Sequence, residues 1–140
     1  MNYDPNNIFA KILRGEIPAH KVFEDEAVLV FMDVMPQAPG HTLVLPKTAS
    51  RNLLDADPGV LARLLPAVQK VAVAVKAAFA ADGIQVIQYN EPAGGQSVFH
   101  LHFHVIPRHE GIGLRSHAGP MEKPEVLAEN AGKIRALLGT

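Results

Sequence analysis

The sequence predicts an α+β fold, in which an antiparallel five-stranded sheet carries a long helix and short helices packed on it. Two patterns support this prediction. Short apolar segments bounded by turn residues are typical of strands, and longer segments repeat their apolar residues at helical spacing. The predicted order is one helix, three strands, one helix, two strands and one helix. A chain of 140 residues is long enough for one domain, 1–140, with a proper core.

The N-terminal third of the chain predicts one helix and three strands. Asn6 or Asn7 can cap a short helix with apolar residues on one side, and Gly15 is a natural stop. Three strands follow at 21–24, 28–32 and 41–46. A tight acidic turn joins the first two strands, and the third strand ends at its proline. Residues 33–40 are rich in chain-breaking residues, which predicts a loop.

A long helix is predicted to begin at Asp57-Pro58, because aspartate caps helices and proline suits the first turn. Apolar residues recur at helical spacing until Asp82-Gly83 ends the helix. Pro66 lies inside this span, where a proline removes a backbone hydrogen bond, so a kink or break is expected near 62–66. Two further strands are predicted at 84–89 and 98–106, followed by an amphipathic helix at 124–138.

The composition excludes several classes of protein. There is no cysteine, which excludes disulfides, thiolate nucleophiles and cysteine-bound zinc. The net charge of -1 provides no basic field, so no nucleic-acid partner is expected. No apolar run approaches the length needed to cross a bilayer, and the first residues are too polar for a signal peptide. We therefore expect a cytoplasmic protein with no membrane partner.

The most informative segment runs from Gln96 to Pro107, where His100, His102 and His104 alternate with apolar residues. In a strand, successive side chains point to opposite faces. The apolar residues can then enter the core while the three imidazoles stand side by side on the opposite surface. Because the pKa of imidazole lies near neutral, this row can attack phosphorus, transfer protons or bind metal.

Three interpretations of the row stay open from spacing alone. Imidazoles two residues apart on a strand can share a zinc ion, which a third can help to bind. Alternatively, one imidazole attacks phosphorus while its neighbours hydrogen-bond the phosphoryl oxygens. A polar, solvent-facing strand is the plainest interpretation. The preceding loop favours phosphate, because Gly94 and Gly95 allow backbone amides to approach a ligand closely. Three neutral donors flank these glycines: Asn90, Gln96 and Ser97.

Segment 94–107 resembles the signature of the histidine triad (HIT) superfamily, in which three histidines alternate with hydrophobic residues. Segments 7–18 and 31–47 resemble the N-terminal helix and the second block of the same superfamily. The resemblance covers most of the core, residues 6–108, and leaves 109–140 as a C-terminal extension. It implies a nucleotide-binding α+β fold that pairs into a homodimer, with chemistry at the α-phosphate of a nucleotide conjugate.

The resemblance also implies roles for the residues that match. His102 would be the nucleophile, while His104 and His41 would contact the α-phosphate. His100 would support the row through hydrogen bonds, and Asp33 would bind the ribose hydroxyls. Four loop residues would hold the phosphate or leaving group: Asn90, Gly95, Gln96 and Ser97. Five apolar residues would form the slot for a purine base: Ile8, Phe9, Ile12, Phe31 and Val34.

The expected function is hydrolysis of a dinucleoside polyphosphate or a purine nucleoside phosphoramidate through a nucleotidyl-histidine, which releases a nucleoside monophosphate. Nucleotidyl transfer is a related activity of the superfamily. Segment 105–108 resembles the polyphosphate-hydrolase and general bacterial branches more than the phosphoramidase branch. Two other classes stay open: a nucleotide-binding module without turnover, and a metal-dependent hydrolase that uses the histidine row.

No cofactor is expected to be required. Many bacterial relatives carry a structural zinc on a Cys-x-x-Cys pair, but Asn7 and Ala10 occupy those positions and Ala49 stands near an expected histidine ligand. A divalent ion bound together with a polyphosphate substrate stays compatible with the sequence. The remaining histidines have no motif around them and are interpreted as surface residues: His20, His109 and His117.

Each implied binding role has a structural alternative. Phe9, Ile12 and Phe31 are apolar residues of the kind that most often fill a core. Asp33 follows a strand and could simply cap the loop after it, since short acidic side chains often bind nearby amides. His41 opens a strand and could be exposed and inert. These alternatives predict the same local structure as the binding roles, so only tertiary contacts can separate them.

Overall fold

The computed structural model describes residues 2–139, in which the three α-helices are α1 (Ile8–Leu13), α2 (Pro58–Ala78) and α3 (Pro124–Leu138). The strands are β1 (Lys21–Glu24), β2 (Val28–Met32), β3 (Thr42–Pro46), β4 (Gly83–Ile87) and β5 (Phe103–Arg108). They form one antiparallel sheet in the order β1-β2-β3-β5-β4. The predicted fold class, a five-stranded antiparallel sheet with a long helix packed on it, is confirmed.

Both faces of the sheet are covered, so every residue of β2 and β3 is buried. Successive side chains of β2 point to opposite faces and separate into two apolar clusters. Val28, Val30 and Met32 pack with α2 and α3. Leu29 and Phe31 pack with α1 on the other face. A strand buried on both faces needs apolar residues at every position, which explains the unbroken apolar sequence of β2.

The helices α1 and α2 begin at capping residues that the sequence indicates. Oδ1 of Asn7 accepts a hydrogen bond from the amide of Ala10 at 2.9 Å. Oδ1 of Asp57 accepts one from the amide of Gly59 at 2.7 Å. Each bond satisfies one of the amides that a helix start leaves without a partner, and such a cap is typically worth about 1 kcal/mol. Helix α3 spans the predicted range and ends at Gly139, whose φ is 72°.

The sequence predicts a kink or a break near 62–66, and the break does not occur, because helix α2 runs without interruption through Pro66. Pro66 has no amide hydrogen to offer the carbonyl of Ala62, one turn earlier. Both residues are exposed, so that carbonyl lies on the solvent side, where water can satisfy it. The opposite side of the helix, from Leu64 to Val75, is buried against the sheet and α3 and keeps the helix in place.

Helix α2 also corrects the expectation that no segment could cross a bilayer. It has 21 residues, and an 18-residue window within it reaches a mean hydropathy of 1.3, which meets the length and composition of a membrane span. The core helix of a globular domain meets the same two criteria. Leu64, Val68 and Val71 of this helix pack in the cluster that covers the sheet. The apolar face of α2 therefore has its partner within the fold.

Strand β5 begins at Phe103 and not at residue 98, so the predicted strand is five residues too long at its start. Pairing between β3 and β5 stops at Phe103. Before it, the amide of Leu101 donates to the carbonyl of Ser50 at 2.8 Å, which holds the chain outside the ladder. His104 therefore lies in the strand, whereas the two earlier triad histidines lie in the irregular segment that leads into it.

Candidate active site

The three alternating histidines converge, but they do not form an open row. His104 stands opposite Leu43 on the face that α1 covers. The rings of His102 and His104 have centroids 5.0 Å apart. All three triad side chains are buried, and His102 is 8% exposed. The expectation that the imidazoles stand on a surface is therefore wrong, because α1, the N-terminal segment and the C-terminal extension cover them.

His102 presents an unprotonated ring nitrogen. Its Nδ1 lies 2.6 Å from the backbone carbonyl oxygen of His100. A carbonyl oxygen only accepts, so Nδ1 carries the proton and Nε2 keeps its lone pair. Burial lowers the pKa of His102 to about 4, which keeps the ring neutral at pH 7. Phe9 packs edge-on against the ring at 4.8 Å. The ring thus has the protonation state that a nucleophile requires.

A directed chain of hydrogen bonds reaches His104 from the loop between β2 and β3. The amide of Gln37 donates to Nδ1 of His41 at 3.0 Å. Nε2 of His41 therefore carries the proton and donates to Nδ1 of His104 at 2.9 Å. Nε2 of neutral His104 keeps a proton that it can donate to a ligand oxygen. Burial lowers the pKa of His41 to about 4 and that of His104 to about 2. His41 is fully buried, which excludes its interpretation as an exposed strand residue.

His100 is held from both sides of its ring. Its Nε2 lies 2.7 Å from the backbone carbonyl oxygen of Pro46, so Nε2 carries the proton. Its Nδ1 then accepts from the hydroxyl of Tyr3 at 2.6 Å. Burial lowers the pKa of His100, which favours this neutral form. The sequence provides no signal for Tyr3, because a single tyrosine near the N-terminus belongs to no motif and lies 97 residues from its partner.

Both carboxylate oxygens of Asp33 are engaged. Oδ1 accepts from the amide of Met35 at 2.8 Å. Oδ2 lies 2.9 Å from Nε2 of His117 and 3.4 Å from Nε2 of His41. The bond to Met35 is the loop cap that one interpretation of the sequence predicts. Since Oδ2 also faces the histidines, this cap leaves a ligand-binding role open.

His117 is a fifth histidine of this cluster. It is partly exposed, as a surface residue would be, but its interpretation as a residue without a site around it is wrong. Its ring stacks on His41 with centroids 5.6 Å apart and lies edge-on to His104 at 5.3 Å. The residue belongs to the extension after β5, and only chain folding brings it to Asp33, 84 residues away. His109 behaves differently, because its Nε2 contacts the backbone carbonyl of Phe79 at 2.9 Å.

Four members of the cluster also have the spacing of metal ligands. One ligand atom from each of Asp33, His41, His104 and His117 lies within 4.8 Å of the others. The protonation of His41 opposes a metal, because Nε2 faces the cluster and carries the proton. To bind a metal there, His41 would have to move that proton to Nδ1, against the amide hydrogen of Gln37. The group therefore suits a hydrogen-bond relay better than a metal centre.

Gln96 anchors the loop before the triad. It is buried, its Oε1 accepts from the amide of Glu91 at 2.8 Å, and its Nε2 donates to the carbonyl of Arg51 at 2.7 Å. The guanidinium of Arg51 binds both carboxylate oxygens of Glu91, at 2.7 and 3.0 Å. The sequence gives no indication of this ion pair between residues 40 positions apart. The donor groups expected of Gln96 are thus already used within the loop.

The other three predicted loop residues differ in exposure. Asn90 is half-buried, and its Oδ1 accepts from a backbone amide at 2.9 Å. Gly95 and Ser97 are exposed. Gly95 has a φ of 98°, and an added Cβ would lie 2.9 Å from a ring carbon of Tyr89. The Tyr89 ring lies edge-on to His104, so glycine at this position allows the loop to pack beside the triad.

Three of the five apolar residues predicted for the base slot meet beside the triad. Phe9, Ile12 and Phe31 are buried in the cluster on the α1 face, where the two phenylalanine rings have centroids 5.4 Å apart. Ile8 is exposed at the start of α1. Val34 packs with the cluster on the opposite face of the sheet. Phe9, Ile12 and Phe31 are also core residues, as the structural alternative predicts.

The fold and the cluster together define a class of protein: a small α+β domain with a buried histidine triad at the start of an inner strand of its sheet. The HIT domain family matches residues 14–111 of this chain. The chain therefore belongs to the HIT family, which confirms the resemblance seen in the sequence. This family includes nucleotide-binding proteins and hydrolases.

Several relatives are similar over most of the chain. A Hit-like protein involved in cell-cycle regulation from Bartonella henselae has 60% identity and a TM-score of 0.91, over 97% of this chain and 99% of its own. Protein hit from Bacillus subtilis is 39% identical over 100% and 99% of the two chains. A zinc-bound histidine triad protein from Mycobacterium smegmatis has 34% identity and a TM-score of 0.83, over 96% and 94%. The adenylylsulfatase HINT3 of Arabidopsis thaliana is 34% identical over 83% of this chain and 62% of its own.

Proposed function

We propose that this protein hydrolyses nucleotide conjugates at the α-phosphate through a covalent intermediate on His102 and releases a nucleoside monophosphate. The observation that supports this most directly is the hydrogen bond from Nδ1 of His102 to the carbonyl of His100. It leaves Nε2 with a free lone pair on a neutral ring, which is the nucleophilic form of imidazole. A binding module without turnover would have no need for this arrangement.

In the first step, Nε2 of His102 attacks the α-phosphorus in line with the leaving group. A phosphorus–nitrogen bond forms, and the bond from phosphorus to the leaving oxygen or nitrogen breaks. Nε2–H of His104 donates to a non-bridging phosphoryl oxygen, with His41 holding the His104 ring in the correct orientation. The leaving group takes a proton from a neighbouring donor, and Ser97, exposed in the loop before the triad, is the residue that we propose for this role.

In the second step, water attacks the same phosphorus and the bond to Nε2 of His102 breaks. The water proton returns to the group that protonated the leaving group, so the enzyme is restored. Splitting one displacement into two keeps each barrier low, and donors already aimed at the phosphoryl oxygens stabilise the charge that develops there. Neither step uses a metal ion held by the histidine cluster. An ion that accompanies a polyphosphate tail would act on the leaving group alone.

Dinucleoside polyphosphates and purine nucleoside phosphoramidates are the substrate classes that we propose, with Asp33 on the ribose and Phe9, Ile12 and Phe31 beside the base. Adenylylsulfatase activity in a relative 34% identical to this chain supports chemistry at an adenylyl phosphorus. Nucleotidyl transfer would follow if an acceptor other than water entered the second step. Assaying one preparation with adenosine phosphoramidate and with a diadenosine polyphosphate ranks the two substrate classes.

Intact-protein mass spectrometry of the enzyme, quenched during turnover, tests the proposal. We expect a nucleotidyl adduct in the wild type and none in His102→Ala, whose turnover should fall by several orders of magnitude. His20→Ala is the matched control, because His20 lies outside the cluster, between α1 and β1. If His102→Ala were fully active and the wild type formed no adduct, His102 could not be the nucleophile. Loss of activity with a chelator and recovery with zinc would favour a metal-dependent hydrolase instead.

We also propose that two copies pair into a homodimer in the cytoplasm. Strand β4 is an edge of the sheet, and its Val86 is 46% exposed. Val73 of α2 is 67% exposed and adds apolar surface that a partner could cover. Light scattering after size-exclusion chromatography tests the dimer, and Val73→Asp should shift the protein to a monomer. Cell fractionation tests the location.

A further inference from the structure

The cluster formed by Asp33 and the histidines around it is shielded from solvent, and His117 is its most exposed member. Asp33, His41, His102 and His104 are all buried. By contrast, 39% of the side-chain surface of His117 is exposed. A ligand that approaches the Asp33 carboxylate from solvent therefore meets the His117 ring, whose Nε2 already occupies Oδ2 at 2.9 Å.

His117 lies in the irregular segment that joins β5 to α3. We call residues 109–123, between β5 and α3, the strap. The amide of Arg115 donates to the carbonyl of Gln37 at 2.7 Å, and the amide of Glu122 donates to the carbonyl of Val34 at 2.8 Å. These two bonds fasten the strap to the β2–β3 loop on either side of His117. An outward movement of His117 would need only the short loop between them, 116–121, to shift, with both bonds left intact.

The strap is also loosely packed at residues 112–114, just before the hydrogen bond from Arg115 to Gln37. A cleft of about 370 Å³ lies between it and the domain, with Phe79 on one side and Ile112 and Leu114 on the other. Ile112 is largely exposed despite its apolar side chain. The strap therefore makes few apolar contacts beside this cleft. Its part around His117 is held by the two backbone hydrogen bonds and by the contacts of His117 with Asp33, His41 and His104.

We propose that His117 sets the affinity of the nucleotide site: it holds the Asp33 carboxylate in the free protein and releases it when ribose hydroxyls bind. This inference rests on the proposed function, in which Asp33 binds the ribose. The exchange replaces one N–H···O bond to the carboxylate with O–H···O bonds from the ligand. His117 then points to solvent, where water satisfies its ring nitrogens. The affinity observed for a nucleotide is reduced by the stability of the contact that it must displace.

Calorimetric titration of the full chain with AMP and with 2′,3′-dideoxy-AMP tests this role. In His117→Ala, AMP should bind roughly tenfold more tightly than in the wild type, the amount that a hydrogen bond to a charged group commonly contributes. The dideoxy ligand should bind equally to both proteins, because it has no hydroxyls to exchange for His117. His20→Ala serves as the matched histidine control and should leave both affinities unchanged. His117→Gln, which keeps a donor, should fall between the wild type and His117→Ala.

Each alternative result has a distinct meaning. Unchanged or weaker AMP binding in His117→Ala would overturn the role of His117, since the residue would then be neutral or a ligand contact. Equal tightening for the dideoxy ligand would also overturn it, because His117 would act as a steric cover without reference to Asp33. Failure of AMP to bind any of these proteins would overturn the proposed function itself.

Discussion

The amide of Gln37 lies 3.0 Å from Nδ1 of His41, and this bond determines the direction of the proton chain through the cluster. Since Nδ1 must accept, the proton of His41 points to His104, and the proton of His104 is left for a ligand. The loop between β2 and β3, for which the breaker-rich sequence predicts only irregular backbone, therefore orients two histidines that lie 63 residues apart. Irregular backbone close to a site can do this because its amides are not used in a ladder.

Replacing His41 should slow turnover with little change in KM. His41→Leu removes the donor to Nδ1 of His104, so the ring to which we assign the bond with the phosphoryl oxygen loses its fixed orientation. We expect kcat to fall by about 10²-fold, the usual loss for one preorganised donor to a phosphoryl or oxyanion oxygen. His41→Gln, which can place an amide donor near the same point, should recover part of the activity. Equal activity in all three proteins would show that the relay has no catalytic role.

Stability should decline as the pH falls from about 6.5 towards 4. Burial lowers the pKa of four histidines: His41, His100, His102 and His104. A lowered pKa means that the unfolded chain binds protons first, so folding is favoured above the unfolded value near 6.5 and progressively less below it. Each histidine contributes a slope of about 1.4 kcal/mol per pH unit within its window. Each contribution to the slope ends at the pKa of the folded protein, which is about 4 for His41 and His102 and about 2 for His104.

Urea unfolding at several pH values measures this slope. The wild type should lose stability steadily between pH 6.5 and 4.5, before most carboxylates begin to protonate. His41→Gln should show a shallower slope, because it removes one of the titrating groups. His20→Ala should keep the wild-type slope. A free energy of unfolding independent of pH in this range would contradict the buried neutral state of the cluster.

Removing the hydroxyl of Tyr3 should loosen the support of the triad. Tyr3→Phe leaves Nδ1 of buried His100 without its donor, which should cost about 1 kcal/mol of stability. The carbonyl of His100 holds the ring of His102, so kcat should fall modestly while KM stays constant. Ring nitrogen shifts in NMR spectra report the change at His100 directly. Tyr3→Leu also removes the ring contact with His100, so comparing it with Tyr3→Phe separates the effect of the hydrogen bond from that of packing. Identical NMR shifts and activity in Tyr3→Phe and the wild type would show that the Tyr3 hydroxyl does not support the triad.

Gly95 and Gly94 offer a matched pair of substitutions in the loop. Gly95→Ala forces a side chain onto a residue with a φ of 98° and places its Cβ 2.9 Å from the Tyr89 ring. We expect a loss of about 1–3 kcal/mol and reduced activity, because the loop must move away from the triad. Gly94→Ala should be close to neutral, since nothing lies within 4 Å of its Cβ position and its φ is not positive. Thermal unfolding and kcat measure both effects; equal behaviour of the two variants would contradict the loop geometry.

The secondary structure follows closely from local patterns. The caps at Asn7 and Asp57 and the range of α3 are predictable because each depends on residues a few positions apart. Two local predictions fail: the break in the helix near Pro66 and the start of the last strand at residue 98. Both features depend on parts of the chain that are distant in sequence. Exposure of one helix face decides the first, and a hydrogen bond from Leu101 to Ser50 decides the second.

The residues of the candidate site also fall into two groups, those that the local sequence identifies and those that only tertiary contacts reveal. The alternation of His100, His102 and His104 is written in consecutive residues, so the sequence identifies the triad. Tyr3 and His117 escape sequence analysis, because their partners lie 97 and 84 residues away and neither has a motif around it. Such contacts are selected by chain folding, which depends on every element that packs between them.

The sequence by itself determined the class of this protein, the order of its helices and strands, and the histidine triad to which we assign its proposed chemistry. The tertiary structure alone decided which nitrogen of each ring holds a proton, how far each ring is from water, and that His117 covers Asp33. Local patterns encode backbone conformation, since that depends on near neighbours. Protonation and access depend on the carbonyls, amides and carboxylates that surround a ring in space, and those come from remote parts of the chain.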